Sequence, residues 1–521
     1  MTESDLPVVH LTPGRWGDPA HPVELPAAAV GALQHLGVRR PATGPVDPVD
    51  RPGLTDEQLD FLTDVVGAEQ VKTDLETRWG HTRGYSTPDL LKHRAGDTTD
   101  MPDAVVYPGS HDEVQALLTA CSSHHLAVVP YSGGTSVVGG LAADRRFITA
   151  DLQRLDQLVA IDEVSRTATL QAGVRGPAAE ALLAERGYTL GHFPQSYEGA
   201  SIGGYAAARS SGQASAGYGR FDQMVVGLTL ATPRGTIETG RAPMSAAGPD
   251  LRQLVLGSEG AFGIITLVVV RIRPRPAERH FEGWRFADFS AGLTAIRRLA
   301  QDGPLPTVLR LSDEAETAVN LADPDVLGGG SGGVVAIVGF DGPYNATTAE
   351  VLTAAGGQNL GEGPGETWRV GRYRAPYLRD PLLDEGALVE TLETAGFWSK
   401  LPQLKAAVTE ALVKSLTDQG TPPLVLCHIS HVYETGASLY FTVICAQTDD
   451  PVAQWRTAKV AANQAIAAAG GTISHHHGVG TDHRDAYADE IGPLAVEALQ
   501  AVKQALDPDG VMNPGILLTS S

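Results

Sequence analysis

The sequence predicts an α+β protein, and three observations carry that prediction. Short runs rich in β-branched residues alternate with stretches of helical spacing, glycine-rich segments punctuate the runs, and 521 residues give room for two to four domains at about 150 residues each. The elements follow in order. The first ~50 residues are rich in Pro, Gly and Ala, and "RRPATGPVDPVDRPGLTDEQ" reads as a linker into a helix starting near Thr55, where an oxygen acceptor precedes an apolar-periodic run. In "PDAVVYPGSHDEVQALLTACSSHHLAVVPYSGGTSVVGG" the order becomes strand, helix, strand, glycine loop. A second glycine-rich region spans Gly191 to Gly219, followed by the strands "MVVGLTLATPRGTIE" and "GIITLVVVRIRP". From 277 to 440 helices alternate with strands such as "GGVVAIVGF", and the tail carries "LYFTVICA", an Ala-rich helix, three consecutive histidines and "ALQAVKQALDPDGVMNPG".

Composition narrows the function classes. With 42% hydrophobic and 19% charged residues the chain is an ordinary globular one. Its longest uncharged apolar run, Gly260 to Val270, falls far short of the roughly 20 residues of a membrane helix. "MTESDLPVVH" lacks a basic region before an apolar core, so no signal peptide is expected, and "LLTSS" is not a peroxisomal address. Cys121, Cys427 and Cys445 are too few and too scattered for a disulfide framework or thiolate metal site, which points to the reducing cytoplasm. A net charge of −22 argues against nucleic acid as a partner. It leaves room for a small anionic ligand, which one or two buried arginines decide locally.

Three small-residue stretches carry the chemistry. "PYSGGTSVVGG", Pro130 to Gly140, is neither a dinucleotide fingerprint of the GxGxxG kind nor a phosphate loop, since it has no lysine. Its glycines still let backbone N–H groups converge on an anion, and Thr135 and Ser136 add hydroxyls. "PQSYEGASIGGYAAARSSGQASAGYGRFDQ" and "GSEGAFGIIT" supply two more stretches where backbone lies against a flat ligand. Separated by β-rich spacers, the three suit an extended dinucleotide threaded between two subdomains.

"PYSGGTSVVGG", "SIGGYAAARSSG" and "GSEGAFGIIT" resemble the FAD-binding domain of the vanillyl-alcohol oxidase/p-cresol methylhydroxylase (PCMH) superfamily. "TRWGHTRGYSTPDLLKHRAGD", "RYRAPYLRD", "CHISHVYETGASLYF" and "SHHHGVG" follow the alkyldihydroxyacetonephosphate synthase branch in order, over residues 75 to 518. The resemblance implies a two-subdomain PCMH-type FAD-binding domain at 96–276, an α+β cap or substrate domain at 277–440, an N-terminal extension at 1–95 and a C-terminal segment at 441–521 that completes the active site. It implies that Pro130, Tyr131, Ser132, Gly133, Gly134, Thr135 and Ser136 wrap the FAD pyrophosphate, with Gly139 and Gly140 close behind. Pro194, Ser196, Ser201, Gly203, Gly204, Arg209, Gly212 and Tyr218 are expected along the dinucleotide, and Glu259, Gly260, Gly263 and Ile264 at its ADP or isoalloxazine side. His192, like Arg209, is expected to face the ring or the phosphate. Ser132 departs from the family's triple glycine, which alters loop geometry but keeps the N–H donor. The histidine and cysteine that attach flavin in some relatives have no counterpart here, so FAD is expected to be noncovalent.

The histidines follow from the same comparison. Metal-using branches bind a divalent ion through two histidines and a glutamate; these fall on His431, Tyr440 and His476 here, so no metal is expected. If the segment is extended, neighbouring side chains alternate, and only His475 and His477 are expected to converge. The favoured role for His475, His476 and His477 is proton transfer beside the flavin. The branch replaces the acyl group of an acyl-dihydroxyacetone phosphate with a long-chain alcohol through a flavin adduct. Arg379 would hold the phosphate or the departing carboxylate, or else pair with Asp380, and Tyr440 would move protons. A small-molecule or lipid-like substrate, peripheral membrane contact and a homodimer are implied with it. The competing class is an FAD-dependent dehydrogenase or oxidase of a 2-hydroxy acid or alcohol.

Overall fold

In the computed structural model residues 3–18, 20–25, 27–41, 46–50, 53–321 and 332–519 are described; 42–45 and 51–52, within the expected linker, lie outside them. Thr55 caps the helix Asp56–Val66 through the Gln58 N–H, as its place ahead of the apolar run led one to expect, and Gln58 returns the bond to form a capping box. The helix His111–Ser123 buries Val114, Leu117, Leu118 and Cys121, spaced one helical face apart, against the sheets. It crosses over between the strand Val105–Val106 and the strand Ala127–Tyr131 in a four-stranded sheet that also holds Val71–Lys72 and Phe147–Asp151. The expected strand "DAVVYP" is only two residues long because prolines bracket it and supply no ladder N–H.

A second, antiparallel sheet orders the strands Leu158–Asp162, Thr167–Gln171, Ile264–Arg271, Val225–Thr232 and Gly235–Glu238. The two sheets share one hydrophobic core. Each glycine-rich stretch sits where this half of the molecule turns a corner. The first leaves the strand Ala127–Tyr131, the second opens the helix Ile202–Ala208, and the third enters the strand Ile264–Arg271.

The cap is a seven-stranded antiparallel sheet, ordered Gln358–Gly361, Arg279–Phe286, Val334–Asp341, Val308–Ser312, Leu424–Ile429, Gly436–Ala446 and Ala387–Phe397. Strand alternation divides its faces. Leu388, Leu392, Leu439 and Phe441 pack on helices Leu401–Asp418 and Pro451–Ala469, while Val389, Thr391, Tyr440 and Thr442 face the cavity described below. The strand Gly436–Ala446 runs straight through residue 440, and the helix after it joins the cap core. Residues 3–17 strap this cap to the first half. Glu3 is buried between Arg279 and Arg372, Val9 N–H donates to the Glu198 carbonyl at 2.9 Å, and the Trp16 and Gly17 N–H groups donate to Asp380 at 3.2 and 2.8 Å. Among the described residues no helix is long and apolar enough to cross a membrane.

Candidate active site

A cavity of about 440 Å³ lies between the glycine-rich stretches and the cap sheet. Pro130, Tyr131, Ser132, Gly133, Gly134, Thr135, Ser136 and Gly140 line it from the first stretch, and Pro194, Ser196, Ser201, Gly203 and Gly204 from the second. Glu259, Gly260, Gly263 and Ile264 complete this wall from the third. The first loop folds back on itself, with Ser136 Oγ accepting the Gly140 N–H at 3.0 Å and Arg175 donating to the Ser132 carbonyl at 2.8 Å. At Gly133 a Cβ would come within 2.4 Å of the Gly199 carbonyl, and Gly134, at φ +65°, would meet the Tyr131 hydroxyl at 2.3 Å. Both positions are open to glycine alone, which leaves bare backbone facing the cavity.

Six expected residues stand outside the lining. Gly139 packs on Thr481, and Gly212 on the backbone of Phe193, because the loops that carry them turn away to close on neighbouring segments. Arg209 donates to the carbonyls of Leu256 and Gln253 at 2.8 and 2.7 Å, tying the second stretch to the segment that leads into the third. The Tyr218 hydroxyl donates to Asp341 at 2.8 Å, with Arg273 over its ring. His475 is buried behind the wall, and His192 too lies off it, its Nε2 3.1 Å from Ser210 Oγ.

Arg379, Tyr440, His476 and His477 reach the cavity from the cap side. Arg379 is held by the Tyr85 carbonyl at 2.5 Å and lies 3.8 Å from Glu390; Asp380 is occupied by Arg94 and the strap instead. Its Nε–H is buried without a protein partner. Tyr440 stacks on His428 at 4.9 Å and meets His477 edge-on at 5.6 Å. Burial pushes its phenol up to about 12, so it is a hydrogen-bond donor near neutrality. His428 Nδ1 sits 2.9 Å from Glu316, which also accepts from Arg310 at 2.5 Å. Burial works against that carboxylate, yet His428 and Arg310 hold it down to about 2.

The histidine loop corrects the expectation of an extended segment. Residues 475–477 form a bend, so adjacent rings converge: His475 Nδ1 lies 3.0 Å from His476 Nδ1, and both rings stand about 5 Å from His431. The bend exists because Glu393 gathers its backbone. That carboxylate accepts the N–H groups of His475, His476 and His477 at 2.7, 3.0 and 2.9 Å and the Ser474 hydroxyl at 2.7 Å. Burial opposes its charge, but His476 and these donors keep it well below the usual carboxylate range. Burial also lowers His431 and His475, and brings His477 down to about 3, leaving their rings neutral. The far end of the loop is held by Glu259, which accepts the Val479 and Gly480 N–H groups at 2.9 and 3.1 Å.

Glu393, Arg310, Glu316, Asn513 and Trp16 were not singled out from the sequence, although all but Glu393 line the cavity. For Glu393 a signal existed: "ALVETLETAGF" places two glutamates in one apolar strand, and a buried carboxylate demands partners.

The residues present fit a dinucleotide flavin. Ser132 Oγ, Gln213 Oε1, Asn513 Oδ1 and Arg379 Nε are buried polar atoms with no protein partner, and all four residues line this cavity. Bare glycine backbone at one end and polar side chains at the other supply what a pyrophosphate and a heteroaromatic ring need. Fold and cavity together have the features that the sequence resemblance implied, those of a PCMH-type FAD-binding protein.

Comparison with known proteins narrows the class. The family model "FAD binding domain" matches residues 102–241, and "FAD linked oxidases, C-terminal domain" matches 275–517. The alkyldihydroxyacetonephosphate synthase of Dictyostelium discoideum is 32% identical over 480 residues, which cover 86% of this chain and 79% of that protein. A solved alkyldihydroxyacetonephosphate synthase structure superposes with a TM-score of 0.81 at 27% identity, over 97% of this chain and 98% of its own. p-Cresol methylhydroxylase shares the fold with a TM-score of 0.67 at 16% identity, over 90% of this chain and 98% of its own. The chain belongs to the alkyldihydroxyacetonephosphate synthase family.

Proposed function

We propose that this enzyme exchanges the acyl group of an acyl-dihydroxyacetone phosphate for a long-chain alcohol, forming an ether. One observation carries the reading: a single cavity joins the glycine-lined cradle to Arg379, Tyr440, His476 and His477, and Arg379 presents an N–H that no protein group takes up. The 32% identity to a synthase across most of both chains supports it. FAD, held without a covalent bond, supplies an electrophilic ring and an electron sink.

The remaining tasks fall to side chains. The planar fork of Arg379 suits the substrate phosphate or the departing carboxylate. His476 removes the proton next to the carbonyl, with Glu393 as the fixed counter-charge behind it at 3.5 Å. Tyr440, a donor at neutral pH, and His477, a neutral acceptor, handle the proton of the incoming alcohol. Residues 96–276 hold the cofactor, while the cap sheet, reaching past residue 440 to Ala446, brings the acid–base groups. Peripheral membrane contact and a homodimer belong to the same reading, and vesicle flotation and light scattering test them.

The deciding experiment supplies acyl-dihydroxyacetone phosphate and hexadecanol to the FAD-loaded protein without oxygen. The expected result is ether product with no net bleaching of flavin absorbance. Bleaching by a 2-hydroxy acid or an alcohol, with no ether formed, would replace this reading with the dehydrogenase one.

A further inference from the structure

Two arginines line the cavity, and their surroundings treat them differently. Arg310 lies on the strand Val308–Ser312, two residues before Ser312, so alternation puts both on one face. Ser312 pairs with His428, and His428 with Tyr440, so those three stand in one row across the cap sheet. Glu316, from the helix Glu314–Leu321 that follows, joins Arg310 to this row. One of its oxygens accepts from Arg310 at 2.5 Å, and the other lies 2.9 Å from His428 Nδ1. Burial works against its charge, but these two partners hold it ionised.

Arg379 is held more loosely. The carboxylate facing it, Glu390, stands 3.8 Å away, beyond hydrogen-bond reach, and spends its oxygens on the N–H groups of Thr87 and Thr391. At the Arg310 end, Asp313 accepts the Glu316 N–H at 2.9 Å and is itself paired with Lys405 at 3.0 Å. The pairs Arg310–Glu316 and Lys405–Asp313 carry no net charge. Arg310 has further N–H groups that nothing takes up among the described residues. What keeps an anion from it is therefore its cancelled charge, not a shortage of donors.

We propose that Glu316 is a specificity-determining residue, which by cancelling Arg310 makes this end of the cavity accept a long-chain alcohol and release a long-chain carboxylate; this rests on the alkyl-transfer reading above. In that exchange the C–O bond to the acyl group breaks with its electron pair on the departing carboxylate. The alcohol oxygen then bonds to the same carbon as its proton leaves, so nothing is oxidised. The two heads occupy one place in turn, on chains of one kind, and only charge tells them apart. Tyr440, which handles the alcohol proton, stacks on His428 at 4.9 Å, and so lies one side chain from the Arg310–Glu316 pair. A free guanidinium there would grip the carboxylate through a two-pronged, charge-assisted bond and shut the alcohol out. With Arg310 cancelled, Arg379 is the cation left for an anionic group, and it takes the substrate phosphate.

Glu316→Gln in the FAD-loaded, full-length protein tests this. Hexadecanoate is titrated against hexadecanol at saturating acyl-dihydroxyacetone phosphate, which keeps Arg379 occupied. The inhibition constant of hexadecanoate is expected to fall at least about tenfold in the variant, and the gain to vanish when Arg310→Gln is added. An unchanged constant, or a gain that survives the loss of Arg310, would overturn the proposal. If Glu316→Gln does not retain FAD, the wild type decides: hexadecanoate that inhibits at or below the KM of hexadecanol refutes it. Hexadecanoate binding to the loaded variant and wild type, followed by flavin fluorescence without substrate, repeats the comparison without turnover. A wild type that makes no ether would refute alkyl transfer, and the binding comparison would still decide whether Glu316 sets the charge of this end.

Discussion

Two glutamates hold the histidine loop, one buried in the cap and one half-buried in the flavin half, and they differ in charge. Glu393 and Glu259 both accept loop N–H groups, and burial raises the pKa of both. Glu393 takes three N–H groups and a hydroxyl with His476 beside it, and it stays ionised. Glu259 takes two N–H groups with no cation among the groups that shift it, and it is pushed up to about 7. The more deeply buried carboxylate is the more ionised one, so its surroundings outweigh its depth. The cap end of the loop is clamped by a full charge, and the flavin end by a carboxyl that gives up its proton only near neutrality.

Glu393→Gln attacks the difference most directly, because it turns an amide donor toward backbone donors. It should cost about 3 to 5 kcal/mol of stability by urea unfolding and abolish turnover. Its folded pKa is depressed, so its contribution is present above the ordinary 4.5 and is lost as pH falls through the folded value. Unfolding curves at acid pH should therefore be flatter in the variant. Equal losses in Glu393→Gln and Glu259→Gln would sink the comparison.

Arg379→Lys keeps the charge but removes the Nε–H and the planar fork. A rise of about tenfold in KM for the phosphate-bearing substrate is expected in steady-state kinetics, with a smaller change in kcat. Ser474→Ala withdraws one of four donors from Glu393 and should cost about 1 kcal/mol, measured by the same unfolding method. The smallest effect is expected for Glu259→Gln, which keeps an acceptor for Val479 and Gly480 and should lie within about 0.5 kcal/mol of wild type at about pH 4.5 and below, where the carboxyl is protonated in both states. Because the folded pKa of Glu259 is raised, its contribution is complete below about 4.5 and is lost as pH rises through about 7. The variant should lack that decline and gain on wild type toward alkaline pH.

Local chemistry explains what the sequence made legible. Gly133 and Gly134 are forced by contacts that admit no side chain, so the cradle could be read from residue identity. Arg379, Tyr440 and the histidine pair His476 and His477 were found through a family pattern, and they do meet in one cavity. Arg209 and Tyr218 share the glycine-rich stretch but point away, since a linear motif does not say which side of a helix or turn faces the ligand. The histidine bend was unreadable because its cause, Glu393, lies on a strand more than eighty residues away. Trp16 sits in a region whose composition looked like an extension, and nothing local marks it as a wall of the cavity.

The strap and the tail have a consequence for the order of assembly. Trp16 bonds to Asp380, beside Arg379, across 364 positions of chain, and Asn513 reaches the Gly140 carbonyl across 373. Both residues also line the cavity. Contacts so distant in sequence form only after large loops have closed, so this cavity is among the last features to be finished. A chain with its three large sheets in place but the strap undocked would have its hydrophobic cores and no closed chamber. Acquisition of FAD would then report the completion of folding.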